Sequence, residues 1–257
     1  MIFDSHTHTK FSADSEMSPL EAIARAESLN RGIVFTDHFD YDLPNGIDFT
    51  FDPDAYFDEY RSLRSERVRL GVEIGFRKSA RKINDAFIAR GPFDQVIGSV
   101  HLVDELDIYY PEYYVGKDKH EAYRRYFDAM IEESSIADYD VLGHIDYICR
   151  AAPYDDPEID YATFKDRIDR VLSIVIERGK VLELNTRRLD SRRALKELVP
   201  IYERYREMGG RYITIGSDAH KVEAIGNYFD AAIEFAAALD LTIVTFVERR
   251  LEICSPD

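Results

Sequence analysis

The chain has 257 residues, which is enough for one barrel-sized domain or two small ones. Its formal net charge of −16 argues against nonspecific binding to nucleic-acid backbones but allows a small phosphorylated substrate held by local cations. Cys149 and Cys254 have no metal-binding spacing, and the sequence shows neither a signal peptide nor an apolar run of membrane-spanning length. We therefore expect a cytoplasmic protein that binds neither membranes nor nucleic acids.

The first fourteen residues predict a strand that ends in a polar cluster. Residues 1–3 are apolar, His6 and His8 follow two residues apart, and Asp14 comes shortly afterwards. Side chains at positions i and i+2 of an extended chain point to the same face, so the two imidazoles can bind one metal ion. For this motif by itself, a surface turn with two accidental histidines is the alternative.

Strand and helix patterns then alternate about seven times along the chain. Strands are predicted at residues 1–3, 32–36, 68–74, 93–100, 139–142, 180–184, 212–215 and 242–247. Helices are predicted at residues 19–30, 53–66, 78–90, 118–137, 161–178, 191–208 and 227–239. The inner face of the first helix is expected to carry Leu20, Ile23, Ala24 and Ala26.

This alternation favours a parallel α/β fold in a single domain over residues 1–257. An open doubly wound sheet would require a glycine-rich phosphate turn after its first strand, and the sequence has none there. Polar residues instead follow nearly every strand. That pattern is typical of a barrel whose site lies at the C-terminal ends of its strands.

A long segment at residues 102–117 separates the fourth strand from the next helix. It contains four tyrosines, Tyr109, Tyr110, Tyr113 and Tyr114. Because it is too long for a plain connection, it is expected to form a lid or a pocket wall. A solvated loop whose tyrosines pack locally is the alternative.

Most histidines of the chain lie just past a predicted strand. These are His6, His8, His38, His101, His144 and His220. Glu73 and Asp218 occupy equivalent positions, although a structural salt bridge is an alternative for Glu73 alone. His120 lies at a helix start and is expected at the surface. Imidazole and carboxylate ligands without thiolates suit Zn, Mn or Fe, and so many ligands predict two or three divalent ions.

These motifs resemble those of the polymerase and histidinol phosphatase (PHP) family of metal-dependent phosphoesterases. They are HTH at residues 6–8, Asp14, TDH at 36–38, VEIG around Glu73, GSVH ending at His101, GHID at His144 and GSDAH ending at His220. They stand in family order and span nearly the whole chain, so the set is far more specific than HxH alone. The resemblance implies a distorted, TIM-like (β/α)7 barrel with a metal centre at the C-terminal ends of its strands.

The resemblance also implies a ligand set. The first ion takes His6, His8, Glu73 and Asp218. The second takes Glu73 as a bridge, His101 and His144. The third takes Asp14, His38 and His220. Asp14 stands where relatives carry a histidine, and its carboxylate is still a competent ligand; Asp37 is a further carboxylate expected near the ions.

The implied activity is phosphomonoester hydrolysis, in which metal-activated water attacks phosphorus. GHID followed by Arg150, and an ELN segment at 183–185, resemble the family's histidinol-phosphate phosphatases of histidine biosynthesis. Catalytic roles are expected for Glu73, Asp218, His220 and Arg150. Arg150, Arg187 and Arg188 are expected to bind the phosphate, with one member of the consecutive pair facing the site; ordinary surface arginines are the alternative.

Three other functions are compatible with parts of the pattern. A related phosphoesterase could act on a small nucleotide or sugar phosphate, because Thr186-Arg187-Arg188 replaces the Ser-Gly pair often found after ELN. An amidohydrolase also opens with HxH on a barrel, but it requires a lysine carbamate where this chain has Glu73. A non-catalytic metal-binding module is the third, and the intact ligand set argues against it.

Overall fold

The computed structural model describes residues 1–44 and 46–255. Its strands are β1 Phe3–Thr7, β2 Gly32–Phe35, β3 His38–Phe39, β4 Val68–Gly75, β5 Gln95–Ser99, β6 Leu102–Val103, β7 Leu106–Asp107, β8 Val141–Leu142, β9 Val181–Asn185, β10 Tyr212–Gly216, β11 Thr242–Val247 and β12 Arg250–Ile253. Its helices are α1 Pro19–Ser28, α2 Pro53–Tyr60, α3 Arg81–Arg90, α4 Lys119–Ile136, α5 Tyr161–Glu177, α6 Arg192–Glu207 and α7 Phe229–Ala238. Among the described residues, no helix is both long and apolar enough to cross a membrane.

Side-chain caps explain where several helices begin. The carboxylates of Asp52, Asp118 and Asp160 and the hydroxyl of Ser191 accept backbone N–H groups in the first turns of α2, α4, α5 and α6. Each cap satisfies a backbone donor that has no partner within the helix. Gly179, two residues after the end of α5, has a φ of 64°, which a glycine adopts without steric cost.

Seven parallel strands form the frame of the fold. They pair in the order β1-β2-β4-β5-β8-β9-β10, and the short β3 adds to the C-terminal part of β4. The two outer strands of this order meet at their C-terminal ends, where Asp218 N donates to His6 O and His8 N donates to Ala219 O, both at 2.8 Å. The strands therefore close into a barrel at the end where the sequence predicts the site.

The opposite end of the barrel is closed differently. β11 pairs with β10 only at Tyr212 and Ile213, and then turns back as an antiparallel hairpin with β12. Val244 and Phe246 of this hairpin pack with Ile97, Val141 and Val181 in a small apolar cluster. The hairpin thereby fills the N-terminal end of the barrel, and the pairing of β12 is a feature that the sequence analysis did not predict.

Two details of the predicted helices are wrong. In α1, Leu20 is 64% exposed and Ala24 is also exposed, while Ala22 and Ala26 face the core. α2 ends at Tyr60 and continues only as a short 3₁₀ turn, because Ser65 and Val68 exchange backbone hydrogen bonds that reverse the chain into β4. The buried face of α1 and the end of α2 both depend on tertiary contacts, which the local periodicity of the sequence does not report.

The segment at residues 102–117 combines both of its predicted alternatives. It contains the β6–β7 hairpin and a 3₁₀ turn over Pro111–Tyr114. Tyr113 and Tyr114 are buried and bond to backbone carbonyls within the fold. Tyr109 and Tyr110 are exposed and line the cavity described below. One half of the segment is therefore packed locally and the other half forms a wall.

Candidate metal centre

The histidines of the HTH motif lie on one side of β1 and face two carboxylates. His6 Nε2 lies 3.2 Å from Glu73 Oε2, and His8 Nε2 lies 3.2 Å from Asp218 Oδ1. The crossed distances are 3.9 Å from His6 to Asp218 and 3.6 Å from His8 to Glu73. All four side chains are buried. The i, i+2 spacing thus produces the shared orientation that the sequence predicts.

The other carboxylate oxygen of Glu73 faces a second pair of histidines. His144 Nε2 lies 2.9 Å and His101 Nε2 lies 3.4 Å from Glu73 Oε1. The hydroxyl of Ser99 donates to the same oxygen at 2.6 Å. Glu73 lies near the end of β4, so one side chain separates two groups of imidazoles. That is the position required of a bridging carboxylate.

A third group lies at the outer side of the site. His220 Nε2 is 3.0 Å and His38 Nε2 is 3.9 Å from Asp14 Oδ2. The ring of His8 stacks against both histidines, with centroid distances of 4.2 Å to His38 and 4.1 Å to His220. Asp14 is 43% exposed, so this group is the one nearest to solvent.

Several buried donor atoms of this cluster have no hydrogen-bond partner within the described residues. They include His6 Nε2, His8 Nε2 and His144 Nδ1, and also His38 Nδ1 and Glu73 Oε2, which lie 2.8 Å apart. Leaving such atoms unpaired in the interior is costly, by about 1–3 kcal/mol each. Imidazole nitrogens and carboxylate oxygens that converge without thiolates are the donors that divalent transition metals prefer. The donor set therefore fits metal ions.

Acids and imidazoles shift one another's pKa values in this cluster. Burial by itself would lower the pKa of His6, His38 and His101, but the neighbouring carboxylates raise all three above their usual values. Burial by itself would raise the pKa of Glu73 and of Asp218, but His6 and other histidines beside Glu73, and Arg150 beside Asp218, hold both well below their usual values. Burial, with the neighbouring His220 and His38, lowers the pKa of His8 well below its usual value. The carboxylates are thus ionised while the imidazole of His8 is neutral.

A second layer of polar side chains orients the histidines. Glu183 Oε1 lies 2.6 Å from His6 Nδ1, and Glu183 Oε2 accepts the backbone N–H of His144 at 2.7 Å. Asp40 Oδ1 lies 3.0 Å from His101 Nδ1. Such contacts fix the tautomer and the orientation of a ligand histidine. Neither residue was predicted to orient a histidine, although the i, i+2 spacing of Asp40 from His38 repeats the HTH pattern.

The expectation that Asp37 lies at the ions is wrong. Its carboxylate accepts from Thr9 N at 2.6 Å, from Thr9 Oγ at 2.7 Å and from Ser12 Oγ at 2.9 Å. Asp37 therefore holds the turn after β1, and its two oxygens are already satisfied. The hydroxyl of Ser12 in turn lies 3.0 Å from His8 Nδ1, so Asp37 acts on the site through the shape of this turn.

The three predicted arginines have different surroundings. Arg150 is mostly buried, with Nη1 2.6 Å from Asp218 Oδ2 and Nη2 3.1 Å from Asn185 Oδ1. Arg187 is half-exposed, and its Nη1 lies 3.5 Å from Asp218 Oδ1. Arg188 instead donates to Asp146 and Glu158 at 2.9 and 2.6 Å. Arg187 is therefore the member of the consecutive pair that has a guanidinium beside the histidine cluster.

A cavity of about 560 Å³ opens over the cluster. Its floor includes His38, His101, His144, Asp218 and His220. Its walls include Phe49, Asp107, Tyr109, Tyr110, Tyr147 and the three arginines. The volume matches a single small ligand.

Comparisons with known proteins agree with this geometry. The family model described as PHP domain matches residues 4–187. A probable histidinol-phosphatase of Clostridium acetobutylicum is 44% identical over 98% of both chains, and a histidinol-phosphatase of Lactococcus lactis is 33% identical over 84% of this chain and 83% of its own.

A solved structure gives the same result at the level of the fold. The crystal structure of a histidinol phosphate phosphatase from Lactococcus lactis, complexed with zinc, L-histidinol and phosphate, superposes with a TM-score of 0.93 and 30% identity. The superposition covers 98% of both chains. The barrel predicted from the sequence is therefore confirmed, and so is the resemblance drawn from the motifs. On the family model and these full-length relatives together, the chain belongs to the PHP domain family.

Proposed function

We propose that this protein is a metal-dependent histidinol-phosphatase, which hydrolyses L-histidinol phosphate to L-histidinol and phosphate. The observation that carries the proposal is one small-molecule cavity that is lined by the outer part of the histidine–carboxylate cluster and by all three arginines. The full-length relatives with this activity in their names support the choice of substrate. The zinc, L-histidinol and phosphate bound by the Lactococcus lactis enzyme support the chemistry.

We propose the following ligands for two or three divalent ions, with zinc as the first candidate. His6, His8, Glu73 and Asp218 form one group, Glu73, His101 and His144 a second, and Asp14, His38 and His220 a third. The short contacts of Glu73 to His6 and His144, at 3.2 and 2.9 Å, support its role as the bridge. When bound, divalent ions polarise the phosphoryl group and make water a stronger nucleophile near neutral pH.

The chain's own residues position the reacting groups. Arg150 and Arg187 offer planar, paired donors to phosphoryl oxygens, and their positive charge offsets the charge that develops during transfer. Glu183 holds the ring of His6 from behind, at 2.6 Å, so that its other nitrogen points into the cluster. Phe49, Tyr109, Tyr110 and Tyr147 surround the rest of the cavity and restrict water around a bound ester.

The proposal is tested by assaying the purified protein, with its metal content measured, against L-histidinol phosphate, nucleoside monophosphates, sugar phosphates and oligonucleotides. We expect the highest kcat/KM on L-histidinol phosphate, loss of activity on chelation, and recovery when zinc or manganese is restored. The variant His101→Asn should lose activity, whereas His120→Asn, at an exposed histidine of α4, should not. A full metal complement without turnover of L-histidinol phosphate would contradict the proposal.

A further inference from the structure

One carboxylate in the cavity wall has no cationic partner among the residues that the structure describes. The acidic side chains that line the cavity are Asp14, Asp40, Asp107 and Asp218. Three of these face a cation or an imidazole within 3.0 Å: His220 beside Asp14, His101 beside Asp40 and Arg150 beside Asp218. Asp107 forms no ion pair with any residue of the described chain within 4.0 Å. It is the acid of this wall that residues 1–44 and 46–255 leave without a neutralising charge.

The surroundings of Asp107 hold its carboxylate in place. The residue ends the β6–β7 hairpin and is half-buried, and its Oδ1 accepts the backbone N–H of Tyr109 at 2.9 Å. Burial raises the pKa of this carboxyl, as expected for an acid that lacks a compensating charge. A half-buried acid without a partner is unfavourable for the free protein, so a ligand that brings the missing positive charge would relieve it.

Aromatic rings lie around the same part of the cavity. Tyr109 and Tyr110 follow Asp107 directly and contact each other edge to face, with ring centroids 5.6 Å apart. Tyr147 lines the cavity beside them and already carries Arg150 over its ring at 4.8 Å. Rings of this kind stabilise a cation near their faces and exclude water from a charge pair. A carboxylate and aromatic rings that line one cavity have the chemistry that binds an ammonium group.

We propose that Asp107 binds the ammonium group of the substrate and thereby selects phosphate esters of amino alcohols over the corresponding esters without an amino group. This inference rests on the proposed phosphatase function and deepens it. Arg150 and Arg187 receive the dianionic end of the substrate, and Asp107 receives its cationic end. An ester that carries both charges matches the cavity at two separate points, whereas an amine-free ester leaves Asp107 without a partner.

The test compares two substrates on two variants. The substrates are L-histidinol phosphate and 3-(imidazol-4-yl)propyl phosphate, which has the same ring and ester but lacks the amino group. In Asp107→Asn the side-chain oxygen that accepts from Tyr109 is retained and the charge is lost. Asp104→Asn is the matched control, because Asp104 lies on the same hairpin, is exposed and pairs with Arg125 outside this cavity.

In Asp107→Asn, we expect kcat/KM for L-histidinol phosphate to fall by about 10- to 100-fold, mostly through KM, the range for a lost hydrogen bond to a charged group. Activity on the amine-free ester should stay within about 3-fold of the wild type, and Asp104→Asn should change neither. Calorimetry should show the same weakening for L-histidinol, the product, whose binding requires no turnover.

The possible failures are distinguishable. Equal losses on both esters would mean that Asp107 supports the wall and not the amine, and would overturn the inference. Equal kcat/KM values of the wild-type protein on the two esters would also overturn the inference, although the proposed phosphatase function would stand. No turnover of either ester by the metal-loaded wild type would overturn the proposed function together with this inference.

Discussion

At the N-terminal end of the barrel, Arg249 pairs with two acids. Its guanidinium donates to Asp140 at 2.9 Å and to Asp138 at 2.7 Å. Asp94 of the same end accepts the backbone N–H groups of Leu70 and Glu248, at 2.9 and 3.0 Å. At the C-terminal end, the buried Glu73, His6 and His8 each keep one polar atom, Oε2 or Nε2, without a hydrogen-bond partner among the described residues. These three acids at the N-terminal end accept hydrogen bonds from fixed donors. At the C-terminal end, by contrast, several buried nitrogen and oxygen atoms have no hydrogen-bond partner among the described residues.

This difference suggests that charged residues at the N-terminal end contribute to stability, whereas those at the C-terminal end serve the chemistry. A buried charge with a complete set of partners holds the structure together, and removing one partner costs stability. A buried cluster with unsatisfied atoms is unfavourable by itself and persists because the surrounding fold enforces it. Substitutions at the two ends should therefore affect different measurements, activity and metal content at one end and unfolding at the other.

The largest effect is expected for Glu73→Gln. The amide removes the negative charge that we propose is shared by two ions, so bound metal should decrease and phosphatase activity should disappear. The folded state should persist, because the apolar core lies outside the cluster. Metal analysis, kinetics and circular dichroism check this, with Glu132→Gln, at an exposed glutamate, as the control. Wild-type turnover in Glu73→Gln would rule out the bridging role.

Arg150→Ala should lower kcat/KM by about two to three orders of magnitude, the loss typical of one electrostatic donor at a transition state. Metal content should stay at the wild-type level, because Arg150 contacts Asp218 without being a ligand. Arg150→Lys should recover part of the loss, since it keeps the charge but not the planar pair of donors. Unchanged kinetics in both variants would show that metals and backbone alone hold the phosphate.

Arg187 and Arg188 form a matched pair for the next comparison. Arg187→Ala should lower kcat/KM by about 100-fold through loss of a phosphate donor. Arg188→Ala should leave the kinetics near the wild type but lower the melting temperature, because Asp146 and Glu158 are both buried and would lose their cation. If Arg188→Ala instead lowered kcat/KM and Arg187→Ala did not, Arg188 and not Arg187 would be the phosphate donor.

The smallest effect on catalysis is expected at the other end of the barrel. Arg249→Ala leaves Asp140 buried without its guanidinium, and the free energy of unfolding should fall by about 1–3 kcal/mol. The kcat/KM value and the metal content should not change. Denaturant unfolding compares it with Arg250→Ala, at an exposed residue of β12. If Arg249→Ala lost activity but not stability, the assignment of stability to this end and chemistry to the other would be wrong.

The motifs were predictable from the sequence because each is local. His6 and His8 are two residues apart on one strand, and strand geometry alone gives them one orientation. The carboxylate of Glu73 within an apolar strand was visible in the same way, since an acid there requires a partner. Helix starts at Asp52, Asp118, Asp160 and Ser191 follow from capping chemistry, which acts over three residues.

Other features depend on residues that are far apart in the chain. Leu20 was expected to face the core, yet its side of α1 lies against solvent, and helical periodicity does not decide which side the barrel covers. Asp40 and Glu183 contact histidines that lie 61 and 177 residues away. The spacing of Asp40 from His38 is a local signal, but its contact with His101 and the contact of Glu183 with His6 exist only in the folded barrel. The hairpin of β11 and β12 is placed by contacts with strands from the middle of the chain.

By itself, the sequence determined the alternation of strands and helices, the family and the set of side chains that lie near the C-terminal ends of the strands. Only the tertiary structure decided that Arg187, not Arg188, lies beside Asp218, that Asp37 holds a turn, and that Asp107 lines the cavity without a cation from the described part of the chain. The physical reason is that local chemistry places a residue on a strand end or in a turn, whereas its partners come from segments brought together only when the barrel closes.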